Sequence, residues 1–248
     1  MNLSGKKLIM RLMISGGGTG GHVYPALAVV QTLDPAAEIL WVGSVAGMEK
    51  SLVERADIPY QGISAAGLRG KNPLKQMAGL LKLGQGYLQS RSLLNNFKPD
   101  VLFVTGGYVC APMTLAAYRR KIPILIYLPD IQPGQAIKFL SRYAAQVAVT
   151  APPAQSYFPE GLTLVTGYPV RADLYTANAL AARKRLNLDA DRPVLLVFGG
   201  SQGARSINRT VAAPETLRRL LPQAQIIHVS GKLDADWTQA AREALPEA

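Results

Sequence analysis

Apolar residues along this chain come in two rhythms. Short, mostly apolar runs of strand length, Leu8–Ile14, Ile39–Val42, Tyr60–Ile63, Val101–Thr105, Ile124–Tyr127, Val147–Thr150 and Leu164–Thr166, read as strands, with Ile39–Val42 a buried one. Between most of them lie longer segments with helical character: Ala26–Leu33, Met48–Ala56, Pro73–Asn95, Ala111–Arg119 and Gly134–Arg142. Strands that alternate with helices predict parallel β-α-β units in a doubly wound α/β sheet. From Arg171 the plan starts again, with a helix over Ala177–Leu186 and a strand expected to be buried over Val194–Phe198. A glycine loop then opens a helix near Ser206, and Ile226–Val229 is the next strand. The expected division is therefore 1–170 and 171–248. The second part is shorter than the usual domain of about 100–150 residues and is expected to be incomplete.

Punctuating glycines carry the chemistry. Ile14-Ser15-Gly16-Gly17-Gly18-Thr19-Gly20-Gly21-His22-Val23-Tyr24-Pro25 joins the first strand to the first helix. Its five glycines permit a tight turn and a close approach of backbone to ligand. Pro25 is expected in the first helical turn, where its missing N–H costs nothing. The free amides and positive dipole end of such a helix favour a diphosphate or another anion. His22, at the mouth of the turn, is the side chain there that takes a proton near neutral pH.

Other loop chemistries are weaker. Gly16, Gly18 and Gly21 satisfy G-x-G-x-x-G, but a dinucleotide site also needs an acid roughly 20 residues on, at the end of the second strand. That strand ends in Gly43-Ser44, and Glu38 stands at its other end. A nicotinamide oxidoreductase thus lacks its ribose acid. The phosphate-loop pattern fails because no Gly-Lys-Ser/Thr follows, and a purely structural turn is the bland alternative.

Composition narrows the partners. A formal charge of +11 points to an anionic partner. No zinc-ligand spacing, RNP-like aromatic motif or arginine-rich tract suggests nucleic acid, so phosphorylated substrates or anionic lipid head groups fit better. A solvated basic surface without a specific role is the plain alternative. Cys110 is the single cysteine, which argues against a disulfide framework and for a reducing cytosol. The run after Lys6 and Lys7 is short and has no small-residue cleavage site, so it is not read as a signal peptide. The sequence contains no run of 18 uninterrupted apolar residues to cross a membrane.

The string GGGTGGHVYPALAV resembles the amino-terminal signature of the MurG family, which adds N-acetylglucosamine to lipid I in peptidoglycan synthesis. Agreement continues through Ser64–Lys71, Lys98-Pro99-Asp100-Val101, Gly106-Gly107-Tyr108-Val109, Gly167-Tyr168-Pro169-Val170-Arg171 and Gly199–Arg205. The resemblance implies a GT-B fold, with a Rossmann-like first domain and the start of a second. It implies an inverting transferase that uses UDP-N-acetylglucosamine and an undecaprenyl-diphosphate-linked acceptor at the cytoplasmic face of the membrane, without a metal or other cofactor. Carried onto this chain, Gly18, Thr19, Gly106, Gly107 and Tyr108 face the acceptor diphosphate. Thr19, Gly20, Gly21, Asp130, Arg171 and Ser201 serve the donor. His22 is the candidate base, with a histidine that only hydrogen-bonds phosphate or backbone as the rival; Asp130 is a second base, the partner that orients His22, or equally a solvated loop acid; His228 is read as structural. Where the family has His-Glu-Gln-Asn, this chain has Tyr127-Leu128-Pro129-Asp130, and the family's Thr-Asn pair becomes Ala136-Ile137. A related transferase with a different acceptor, and a non-catalytic half that needs a partner, are the rival readings.

The segment Leu68–Leu94 carries two apolar stripes. Leu74, Met77, Leu81 and Leu88 read as a core face. Leu80, Leu83 and Tyr87, with Lys71, Lys75, Lys82 and Arg91 around them, suit the surface of an anionic bilayer. The expected membrane patch is Lys71, Leu74, Lys75, Leu80, Lys82 and Leu83, with burial of both stripes as the alternative.

Overall fold

The computed structural model describes residues 9–67, 73–200 and 203–244, with the backbone alone for 73–75. The chain divides into two compact units, Met1–Ala172 and Asp173–Ala248.

In the first unit the elements run β1 (Arg11–Gly16), α1 (Gly20–Val30), β2 (Glu38–Ser44), α2 (Glu49–Glu54), β3 (Tyr60–Ile63), α3 (Pro73–Phe97), β4 (Val101–Gly106) and α4 (Cys110–Arg119). They continue through β5 (Ile124–Leu128), α5 (Gln135–Leu140), β6 (Gln146–Val149) and β7 (Thr163–Val165), with 3-10 turns at Ser141–Tyr143 and Pro152–Tyr157. Among the described residues the strands form one sheet in the order β3-β2-β1-β4-β5-β6-β7, every neighbouring pair parallel. This is the doubly wound plan the strand and helix rhythm anticipates. Because side chains alternate across each strand, Leu12 and Ile14 point to the face that holds Val23, Ala26, Leu27 and Val53. Met13 points to the opposite face, with Leu94, Cys110, Met113 and Leu140.

Strand order reverses at β1. Chain order runs one way from β1 through β2 to β3 and the other way from β4, so the carboxyl ends of β1 and β4 lie side by side at the crevice where open α/β sheets bind ligands. Both ends carry glycine loops.

Three local expectations are corrected. Helix α1 begins at Gly20, so Pro25 falls inside it. There its absent N–H leaves the Gly21 carbonyl without a helical donor. The first turn is made by Gly20, Gly21, His22 and Val23. On α3, the stripe read as a core face is exposed: Met77 is 61% accessible, Leu81 72% and Leu88 62%. The packed side is instead Gly79, Leu83, Gly86, Tyr87, Ser90 and Leu94. Close approach decides this, since a Cβ on Gly86 would collide with the Ser64 carbonyl and Ser90 Oγ bonds the Gly86 carbonyl at 2.7 Å. Leu80 and Lys82 are exposed and Leu83 is half-buried, whereas Lys71 and the side chains of Leu74 and Lys75 lie outside the described residues.

The second unit follows α6 (Ala172–Tyr175), which straddles the division, and holds α7 (Ala179–Arg185), β8 (Val194–Phe198), α8 (Arg205–Val211), α9 (Pro214–Leu220), β9 (Gln225–Val229) and α10 (Ala235–Glu243). Asn178 caps α7 by accepting the Ala181 amide at 3.0 Å. Strands β8 and β9 pair in parallel, Val194 opposite Gln225. Burial of β8 does not follow: Leu196 is 54% and Phe198 63% exposed. Among the described residues little packs on the faces of this two-stranded sheet, so its apolar side chains stay exposed.

Candidate active site

The site grows from the contact between the β1–α1 and β4–α4 loops. Gly17 N–H donates to the Gly106 carbonyl at 3.0 Å, and Gly16 pairs with Gly106 where the ladder register shifts. Gly106 (φ +129°) and Gly107 (φ +95°) hold backbone conformations that side chains resist. Neither has room for a Cβ: at Gly107 it would lie 2.5 Å from the Gly17 carbonyl oxygen, and at Gly106 2.7 Å from His22 Nε2. The imidazole therefore lies against the Gly106 backbone.

Hydrogen bonding sets the state of His22. Its Nδ1 is 2.8 Å from the Gly17 carbonyl oxygen and 3.5 Å from Thr19 Oγ1. A carbonyl has no proton to give, so in the neutral ring Nδ1 carries the hydrogen and donates it. Nε2 then presents a lone pair, which is what a general base requires. A backbone bond is what the rival reading of His22 expected, and here it fixes the ring through Nδ1 while leaving Nε2 unbonded to it. Asp130, expected as a possible partner of His22, is exposed beyond β5, and its charge instead acts on Tyr127 and Tyr168. Burial, then Tyr168 and Asp130, pushes the Tyr127 hydroxyl upward.

The other expected residues divide by location. Gly18, Thr19 and Gly21 are exposed at the start of α1, Gly20 is buried, and Gly20 and Gly21 open the turn whose amides have no helical acceptor. Tyr108 is 62% exposed beside Gly106 and Gly107, and its ring lies so close to Gly67 that a Cβ there would be 2.5 Å from Cζ. Arg171 stacks its guanidinium over the Tyr24 ring of α1 at 5.6 Å, which brings a cation to the same helix. Leu128 is buried in the core at the end of β5. Ser201 lies outside the described residues.

Several supporting residues were not anticipated. Trp41, fully buried, donates its indole N–H to the Gly16 carbonyl at 3.0 Å. Cys110 Sγ sits 3.0 Å from the Gly106 carbonyl and 3.2 Å from that of Ser15, and burial pushes the thiol up to about 11. Glu49 is fully buried and accepts the Gly18 amide at 3.1 Å and both the amide and hydroxyl of Ser44 at 2.8 Å. Burial raises its carboxyl, but the bonds from Ser44 and Gly18 outweigh that and hold it below the usual carboxylate range. The only trace of this in the sequence is an acid at the start of a helix on the ligand-facing edge of the sheet.

In the second unit the glycine loop is braced by a polar chain. Arg205 meets Asp234 at 2.8 Å, and Asn208 Nδ2 donates to Asp234 at 2.9 Å and to the Ser230 carbonyl at 2.8 Å. His228 Nε2 lies 2.9 Å from Asn208 Oδ1, and burial lowers its pKa. Gly203 (φ +81°) abuts the Ser230 carbonyl so closely that no Cβ fits. Hydrogen bonds from Trp237, Asn208 and Arg205 hold the Asp234 carboxyl at about 2. Among the described residues no group of three His, Cys, Asp or Glu side chains is arranged to hold a metal, and no helix is long and apolar enough to cross a membrane.

Comparison with known proteins identifies the architecture. Residues 12–149 match the glycosyltransferase family 28 N-terminal domain and residues 194–245 the glycosyltransferase family 28 C-terminal domain. The chain is 40% identical to the UDP-N-acetylglucosamine--N-acetylmuramyl-(pentapeptide) pyrophosphoryl-undecaprenol N-acetylglucosamine transferase of Roseiflexus sp., over 96% of this chain and 63% of that protein. It is 41% identical to the protein of the same name from Desulforudis audaxviator, over 92% of this chain and 62% of that one. The chain thus spans less than two thirds of the length of these curated relatives. The crystal structure of Acinetobacter baumannii MurG, 28% identical, matches with a TM-score of 0.64 over 96% of this chain and 64% of its own. The fold class is accordingly Rossmann-like α/β of the GT-B type. With the N-terminal family model covering more than half of its residues, the chain belongs to glycosyltransferase family 28.

Proposed function

We propose that this protein moves N-acetylglucosamine from UDP-N-acetylglucosamine to the 4-hydroxyl of an undecaprenyl-diphosphate-linked muramoyl-pentapeptide, converting lipid I to lipid II in peptidoglycan synthesis. The relatives at about 40% identity carry this activity in their names. The observation that carries the reading is the His22 ring, with Nδ1 bonded to the Gly17 carbonyl and Nε2 turned to the glycine loops at the strand-order reversal. In an inverting transfer the acceptor oxygen bonds the anomeric carbon, the bond from that carbon to UDP breaks, and the hydroxyl proton goes to Nε2.

Gly18, Thr19, Gly106, Gly107 and Tyr108 are assigned to the acceptor diphosphate, beside a helix start that favours an anion. Thr19, Gly20, Gly21, Arg171 and Ser201 are assigned to the donor, with positive partial charge for the leaving diphosphate. Asp130 is the second acid–base candidate and a donor contact. Leu80, Leu83 and Lys82 of α3, with Lys71, Leu74 and Lys75, form the proposed contact with an anionic membrane at the cytoplasmic face. No metal enters this scheme.

Radiolabelled UDP-N-acetylglucosamine and a lipid I analogue test it. The expected result is label in the lipid product with matching release of UDP. Tight binding of the lipid diphosphate without turnover would overturn transfer and favour an acceptor-binding role.

A further inference from the structure

The bond that orients His22 and the bond that Glu49 accepts belong to one peptide unit. The Gly17 carbonyl accepts from His22 Nδ1 at 2.8 Å, and the Gly18 N–H on the other side of the same amide donates to Glu49 Oε2 at 3.1 Å. A trans peptide is planar, with its C=O and N–H pointing in opposite directions. Fixing the N–H therefore fixes where the carbonyl points. The far side of the carboxylate is anchored on Ser44, whose amide and hydroxyl both bond Oε1 at 2.8 Å. Tyr60 closes the pocket, donating to the Ser44 carbonyl at 2.7 Å with its hydroxyl 3.5 Å from Glu49. There is no slack, since a Cβ on Gly17 would fall 2.5 Å from the carboxyl group.

We propose that Glu49 is a positioning residue for His22, acting through the Gly17–Gly18 peptide to keep the hydrogen on Nδ1 and the lone pair on Nε2. A buried carboxylate needs compensation to stay charged, and here the compensation comes from two loops that it ties together. Hydrogen bonds in series through a polarisable amide strengthen one another, so the charge on Glu49 reaches the carbonyl that the imidazole meets. The arrangement does by relay what a carboxylate bonded directly to a histidine does elsewhere: it selects the tautomer. The tautomer claim stands on geometry alone, while its consequence for turnover rests on the proposed role of His22.

The test uses protein labelled with ¹⁵N in the histidine rings. His22 and His228 are the two histidines of the chain, and His22→Gln assigns them. At a pH where the rings are neutral, His22 is expected in the Nδ1–H form. In Glu49→Gln only one oxygen remains, and the two Ser44 donors hold it, so the side-chain NH2 is turned against the Gly18 N–H. The peptide is released, and His22 shifts towards the Nε2–H form favoured by free imidazole in water. Transfer kcat is expected to fall on the order of 10–100-fold, the range known for groups that orient metal-bound histidines, with KM for UDP-N-acetylglucosamine little changed.

An Nε2–H ring in the unsubstituted protein, or an unchanged Nδ1–H ring in Glu49→Gln, would overturn the proposal. Should Glu49→Gln fail to fold, couplings across hydrogen bonds decide in the unsubstituted protein. They should link Gly18 N to Glu49 Cδ and His22 Nδ1 to the Gly17 carbonyl carbon, and absence of either refutes the relay. Full transfer by His22→Gln beside the expected tautomer would instead sink the base assignment alone.

Discussion

Gly107→Ala probes the loop contact on which the site depends. At φ +95° an alanine is strained, which costs about 1–3 kcal/mol. Its Cβ would also lie 2.5 Å from the oxygen and 3.0 Å from the carbon of the Gly17 carbonyl. Backbone cannot swing aside like the end of a side chain, so the loops must part. The Gly17 to Gly106 bond at 3.0 Å then goes, removing roughly 0.5–1.5 kcal/mol more. The expected loss is about 1.5–4.5 kcal/mol for the first unit. Gly84→Ala is the control, because nothing lies within 4 Å of its Cβ and it sits inside α3. That change should stabilise by about 0.5–1 kcal/mol. Urea unfolding followed by Trp41 fluorescence in a Trp237→Phe background reads both. Wild-type stability in Gly107→Ala would mean that the β1–α1 and β4–α4 loops do not touch as described.

Further outcomes follow from single groups. Cys110, buried with its thiol pushed to about 11, should resist a disulfide reagent at pH 8 in the native protein and react fully once unfolded. Asp234 has a folded pKa of about 2 against 3.8, so its contribution to stability is complete above about 3.8 and fades as pH falls towards 2. The Trp237 indole resonance should report that acid loss in the wild type, and Asp234→Asn should flatten it in this window. Leu80 and Leu81 are 58% and 72% exposed, so replacing both with Ser should change stability by less than about 0.5 kcal/mol each. On the membrane reading the same change weakens sedimentation with anionic vesicles, and unchanged sedimentation counts against that reading.

Much of the first unit was legible from hydrophobic rhythm, because its central strands are buried on both faces and read as mostly apolar runs. The stretch from Gly16 to His22 was legible as a glycine turn from strand to helix, because glycines and a helix start are local features. What stayed hidden depends on distance in sequence. Glu49 reaches Gly18 from the next loop, and Trp41 reaches Gly16 from β2. Neither contact leaves a periodic trace. The face of α3 was misread for a related reason, since leucines mark an apolar stripe while Gly86 and Ser90 do the packing. The exposure of β8 was equally invisible, because an apolar run does not say what packs on the faces of its sheet.

The most direct test of the central claim is transfer by His22→Gln, which keeps the size of the side chain and removes the proton acceptor. With a lipid I analogue at saturation, kcat should fall on the order of 10²–10⁴-fold, the usual worth of a positioned general base, while KM for UDP-N-acetylglucosamine changes little. Wild-type kcat in His22→Gln would contradict the account and move the proton acceptor elsewhere, with Asp130 the first group to examine.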